Sequence, residues 1–142
     1  MTYIQKCEWL KLYQSALRRQ KMLIRRIRNV RDQAETVTQA MQPVVSSGGG
    51  TDKVGHAVER IDAYQRELEH EVERTQALCC AIRREIWAIR DPLLQDVLEL
   101  RYIDGLHIWQ ISNQLHISER HARRLHRDAV DRLSVPDGVP SL

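Results

Sequence analysis

The chain has 142 residues, 42% of them apolar, and 22 Lys and Arg against 19 Asp and Glu give a formal net charge of +3. Only six Gly and four Pro argue against a β-sandwich, a Rossmann-like α/β fold and a disordered chain, and seven aromatic residues with no Phe favour thin helical layers of Leu, Ile, Val and Ala. So small a net charge carries no argument for nucleic acid by itself. The distribution of charge has to carry it.

From about Tyr3 to Met41 there is neither Gly nor Pro, and apolar residues recur in alternating steps of four and three. Leu23, Ile27, Val30, Ala34, Val37 and Met41 form a seam that Trp9, Tyr13 and Ala16 continue upstream. The period predicts one helix of roughly 55–60 Å at 1.5 Å per residue. Pro43 and the following VVSSGGGTD break it, because the residue before a proline is disfavoured from helix and clustered glycines make a flexible connection.

Asp52 is the predicted N-cap of a second long helix reaching about Arg90. Val54, Val58, Ile61, Gln65, Leu68, Val72, Thr75, Cys79, Ile82, Ile86 and Ile89 occupy its heptad seam, nine of the eleven apolar, which is a stripe of coiled-coil grade. Two such helices joined by a short turn fold back most simply as an antiparallel hairpin. Charge supports the pairing: residues 18–31 hold seven cations and no acid, and residues 62–73 hold five acids against Arg66. Folding about a turn at 47–48 sets residue 24 opposite residue 71 and the two blocks face to face. Exposed pairs are worth ~0–1 kcal/mol each but together favour one register. The same pattern serves a pairing between two chains, and it leaves open which one occurs.

The last fifty residues change character. Asp91-Pro92 is an N-cap with proline at the first helical position, and Leu94, Val97, Leu98 and Arg101-Tyr102 follow at helical spacing. Asp104-Gly105 makes a turn, Ile108–Leu115 a short helix, His116 a break, and Ser118 opens a final helix to about Leu133. Leu106, Ile108, Ile111, Leu115, Ile117, Ala122 and Leu125 fall where two steeply crossing helices need a small core. Ser112 and Ala122 are small enough for close approach. Glu119, Arg120, His121, Arg123, Arg124 and Arg127 cluster on and beside the outward face, as a recognition helix presents itself to a major groove. The chain thus divides into a hairpin at 1–90 with its turn near 43–52, a helix-turn-helix module at 91–134, and a loose tail at 135–142. The fold class is all-α.

Leu100-Arg101-Tyr102, Asp104-Gly105-Leu106, Gln110-Ile111, Leu115, Ile117-Ser118-Glu119-Arg120 and Arg123-Arg124-Leu125 occur in the order and spacing of sigma-factor region four, which residues 91–133 resemble. Placed after long charged helices, such a module is similar to small phage late-gene transcription regulators of the RinA and ArpU type. The resemblance implies a transcription regulator that reads promoter DNA with the helix 118–133. Base contacts would fall to Glu119, Arg120, Arg123 and Arg124, because Arg pairs bidentately with guanine and Glu accepts from cytosine. Gln110, Ser118, His121 and Arg127 are placed for phosphates, which position the protein without reading sequence. It also implies RNA polymerase as a partner, homo-oligomerisation through the hairpin, and the cytoplasm of a bacterial host. Three positions depart from the usual pattern: His107 stands at a cap usually held by Ser or Thr, Ser112 replaces a common Ala, and His116 replaces the turn Gly. His116 is expected to take the left-handed conformation nonetheless, and histidines near the DNA strengthen binding mildly as pH falls.

Other chemistry finds no support. The GGG run lacks the partners of a phosphate loop, and no nucleophile–base set, HExxH or zinc-finger spacing occurs. Cys79-Cys80 beside His70 point in different directions on a helix, so packing is the better reading than a metal. No enzymatic activity, cofactor or metal is therefore expected. The longest apolar run, Ala77–Ile82, is far short of the ~20 residues of a membrane span; the charged start reads as no secretory leader, and three cysteines without CxxC read as reduced. Two other roles fit the same architecture. One is the DNA-recognition small terminase subunit of a phage packaging machine, and the other a protein adaptor that has lost DNA binding.

Overall fold

The computed structural model describes residues 1–40 and 49–137, with side chains at 1–36 and 54–137. Five α-helices occur in the order α1 (Tyr3–Ala40), α2 (Gly49–Ala88), α3 (Pro92–Leu98), α4 (Ile108–Leu115) and α5 (Glu119–Arg132), with a π-helical turn, Glu99–Ile103, continuing α3. Among the described residues there is no strand. The expected all-α fold, a long helical hairpin followed by a helix-turn-helix module, is the fold observed. Chain segments group into two compact units, one of Met1–Ser15 with Thr75–Leu142 and one of Ala16–Arg74. The expected break at Pro43, Gly48 and the end of the tail lie outside the described residues, whereas Gly49 and Gly50, expected in the flexible connection, open α2 instead.

Within Ala16–Arg74, α1 and α2 pair along the predicted seam. Ala16, Leu23, Ile27 and Val30 are buried, and their spacing of three and four keeps them on one face. Arg19 reaches Glu67 at 3.8 Å and Glu71 at 3.7 Å, and Gln20 donates to the Glu71 carbonyl. The register therefore differs from the expected one: residue 71 faces residues 19 and 20 instead of residue 24. The cause is where α2 begins. It starts at Gly49, three residues before the predicted cap at Asp52, which shifts the centre of the turn toward the N-terminus. Extending an existing helix is cheap, and the glycine penalty of about 1 kcal/mol belongs to helix interiors.

The heptad stripe of α2 holds in its second half and slides in its first. Thr75, Ile82, Ile86 and Ile89 are buried, while Val54 and Val58 are exposed and the buried acid Glu71 takes a place on the inner face. A seven-residue repeat drifts by about 20° per heptad on a straight helix. Counting back from Ile86, the positions Cys79, Val72, Gln65 and Val58 rotate step by step toward the edge of that face.

In the other unit the ends of both long helices join the core of the C-terminal module. Trp9 and Leu10 of α1 and Ile82, Ile86 and Ile89 of α2 cluster with Leu94, Leu98, Tyr102, Ala129, Val130 and Leu133. Burying an aliphatic or aromatic side chain of this size contributes about 1.5–3 kcal/mol, so this shared core is what fixes α3 and α5. The Gln95 side chain donates to the carbonyls of Trp87 and Ile89, tying α3 to the end of α2. Asp91 caps α3 as expected, its Oδ1 accepting from the Leu93 amide at 3.0 Å with Pro92 in the first turn.

The π-helical turn is the departure from the uniform helix that spacing suggests for this region. Asp104 N donates to Glu99 O at 3.0 Å, five residues back. The widened turn carries Tyr102 into the core, and the Gln14 amide of α1 donates to the carbonyls of Tyr102 and Ile103 at 3.1 and 2.8 Å. Gly105 follows with φ +75°, a left-handed turn that glycine adopts without strain.

Candidate nucleic-acid interface

Helices α4 and α5 form the predicted two-helix motif. Ile111 and Ala122 are fully buried between them, and Ser112, at 4% exposure, lets them approach. Its hydroxyl donates to the Trp109 carbonyl at 2.8 Å, so this small polar side chain is satisfied within its own helix. His116 takes φ 56°, ψ 43°, the left-handed conformation expected in place of glycine. The Ile117 amide then donates to the Ser112 carbonyl at 3.0 Å, closing the end of α4.

Each candidate residue has a definite place. Gln110 sits in the first turn of α4, where its Oε1 accepts from the His107 amide at 2.8 Å; its carbonyl oxygen closes the helix start. Ser118 is the N-cap of α5 and its Oγ accepts from the His121 amide at 3.1 Å. Beyond the cap, Glu119, Arg120, Arg123, Arg124 and Arg127 are all exposed and His121 is half-buried. Glu119 and Arg123 pair one turn apart at 3.2 Å, and the Arg127 guanidinium lies over the Tyr3 ring at 5.4 Å. Arg120 and Arg124 form no ion pair among the described residues. Trp109 is exposed.

Helix α1 contributes residues beside α5 that local spacing did not reveal. His126, on the inner side of α5, has its Nε2 2.7 Å from the Tyr102 hydroxyl and its Nδ1 3.4 Å from the Tyr3 hydroxyl. Burial, followed by the positive charges of Arg101 and Lys11, holds this imidazole down to about 4, so it is neutral at ordinary pH. Burial likewise pushes the Tyr102 phenol up. Lys6 donates to the Asp131 carbonyl at 3.0 Å. The contacts from Tyr3 and Lys6 span more than a hundred residues of sequence, and only the Arg101-Tyr102 pair lies inside a recognisable motif.

The basic block of α1 also differs from expectation in how far it is neutralised. Arg19 pairs with Glu67 and Glu71, whereas Lys21, Arg25, Arg26, Arg28 and Arg31 are exposed and form no ion pair among the described residues. The shifted register and the outward placement of Asp62, Glu69 and Glu73 on α2 account for this. Among the described residues no cluster of three or more His, Cys, Asp or Glu side chains could hold a metal. No described helix is long and apolar enough to cross a membrane.

Residues 91–134 match the family model of Sigma-70, region 4. The segment runs from the cap of α3 to the end of α5, and its similarity to that helix-turn-helix family implies DNA binding. No curated protein and no solved structure matches the chain.

Proposed function

We propose that the protein is a sequence-specific transcription regulator, phage-encoded and of the RinA and ArpU type, that reads promoter DNA through α5. The observation that carries this reading is the outward face of α5. Arg120 and Arg124 are exposed, face away from the core and have no acidic partner among the described residues, on a helix whose start is fixed by Ser118. Such arginines are placed to donate to guanine edges, each good pair being worth ~1–3 kcal/mol of discrimination. Ser118, His121, Gln110 and Arg127 serve the phosphates, and Glu119 and Arg123 exchange their mutual pair for base contacts. The role is one of binding and not of catalysis, carried out in the cytoplasm of a bacterial host.

The hairpin of residues 1–90 serves homo-oligomerisation or contact with RNA polymerase in this reading, with the module 91–134 on the DNA. Selection of bound fragments from phage and host genomic DNA, followed by sequencing, tests it directly. The expected result is enrichment of one promoter-proximal site, and loss of that preference in Arg120→Ala and Arg124→Ala. Enrichment indifferent to both substitutions would overturn the proposal.

A further inference from the structure

We infer that the first turns of α1 form, with α5 and the π-helical turn, a second DNA contact: a cationic groove that grips a backbone phosphate beside the recognition helix. This rests on the DNA-binding reading above and extends it to residues outside the matched segment 91–134. The groove has a volume of about 580 Å³ and is lined from α1, the π-helical turn, α4 and α5. Four of its lining side chains are cations, Lys11, Arg101, Arg123 and Arg127, and Glu8 is the one acid among them.

Three observations make this a phosphate site and not merely a basic stretch of surface. First, Arg123 and Arg127 belong at once to the groove and to the outward side of α5, one helical turn apart, so DNA lying on α5 meets the mouth of the groove. Second, the cations come from three elements and line one groove with His126; that imidazole is held down first by burial and then by the positive charges of Arg101 and Lys11. Even with Glu8 in the lining and Glu119 beside Arg123 the cations are in excess, and a net positive potential in a partly buried cleft attracts an anion more strongly than dispersed surface charge does. Third, two of the arginines are held in place. Arg101 donates to the Leu106 carbonyl at 2.9 Å and Arg127 stacks on Tyr3, which lowers the entropy lost on gripping an oxygen anion. The groove is open along one side, as a passing strand requires.

Lys11 is exposed and forms no ion pair among the described residues. It lines the groove from α1 and stands 80 residues before the matched segment. Each phosphate neutralised adds about 0.9 to the slope of log K against log salt. Removing one contact should therefore weaken binding to all duplexes alike and flatten that slope.

The test uses the full chain and two duplexes of equal length, the best enriched fragment and an unrelated sequence, titrated over a fourfold range of salt. Lys11→Gln is expected to lower affinity for both by the same factor at low salt and to flatten the slope by about 0.9. The fourfold rise in salt then costs the variant about 3.5-fold less affinity than it costs the parent. Lys11→Arg restores the slope, and Glu8→Gln, which removes the groove's acid, raises affinity for both duplexes. Helix content and unfolding midpoint, measured on each variant, separate these effects from loss of fold. A parent that binds DNA with an unchanged slope in Lys11→Gln overturns the inference and leaves the functional reading standing. A parent that binds no duplex even at low salt overturns both. If inorganic phosphate raises the parent's unfolding midpoint and not that of Lys11→Gln, while the DNA slope is unchanged, the groove takes a free anion and the inference fails.

Discussion

Tyr102 and His126 meet across the core of the C-terminal module, phenolic oxygen to Nε2 at 2.7 Å, and so join the π-helical turn to the recognition helix through a neutral imidazole. The folded state holds His126 down to about 4, against about 6.5 in an unfolded chain. Between those values the unfolded chain binds the proton more readily, so stability rises with pH there. The contribution is fully present above about pH 6.5 and is lost as pH falls through 4, by about 3 kcal/mol at its limit. Urea unfolding followed by the loss of helical circular dichroism is the measurement. His126→Gln should lose this part of the profile, so the stability gap between parent and variant narrows by about 2 kcal/mol from neutral pH to about pH 4.5. A constant gap would show that the imidazole is not buried neutral.

Gln14 and Gly105 form a second link between α1 and the module. The Gln14 amide donates to two carbonyls of the π-helical turn, and a Cβ at Gly105 would lie 3.0 Å from Gln14 Oε1. Gln14→Leu leaves both carbonyls without this donor and should cost about 1–3 kcal/mol in unfolding free energy. Gly105→Ala adds left-handed strain of about 1–2 kcal/mol and crowds the same amide. Because the two residues share these contacts, the double variant should cost less than the sum of the single ones. Strict additivity would mean that they do not touch in solution.

Much of the module was legible because its signals are local. The Asp91-Pro92 start, the Asp104-Gly105 turn, the Ile108–Leu115 helix and the Ser118 cap are each set by residues within four positions of one another, and the structure has them all. The left-handed His116 was legible for the same reason, since the motif demands that conformation whatever residue stands there. What spacing did not reveal is long-range: Leu10 and Trp9 packing on Val130 and Leu133, or Lys11 lining a groove with Arg123. Periodicity says which face of α1 turns inward and is silent on what it meets. The register of the hairpin was legible only to within a helical turn, because complementary blocks of charge tolerate such a slip at little cost, and the helix start that decides it carries no strong signal.

That register is itself testable. With Cys7, Cys79 and Cys80 replaced by Ser, cysteines introduced at Gln20 and Glu71 should be joined rapidly by a short bifunctional thiol reagent. The pair at Ile24 and Glu71 should react slowly. The product should run as a single chain, which identifies the hairpin as closed within one molecule. Faster reaction of the 24–71 pair would restore the register that charge alone suggests, and a product of doubled mass would assign the pairing to two chains.

His116 stands in the left-handed region with φ 56° and ψ 43°, which costs a residue with a Cβ about 1–2 kcal/mol relative to glycine. Glycine in turn loses more chain entropy on folding, by about 0.4–1 kcal/mol. The balance predicts that His116→Gly stabilises the protein by about 0.5–1 kcal/mol. His116→Val, β-branched and stiff at χ1, should destabilise it by more than that, since it resists the conformation most. The order Gly above His above Val in unfolding midpoint checks the geometry, for the side chain is exposed and leaves little packing to lose. If Gly proved less stable than His, the histidine would have to be earning its place through a contact of its own, and the turn would not be the strained element its backbone angles indicate.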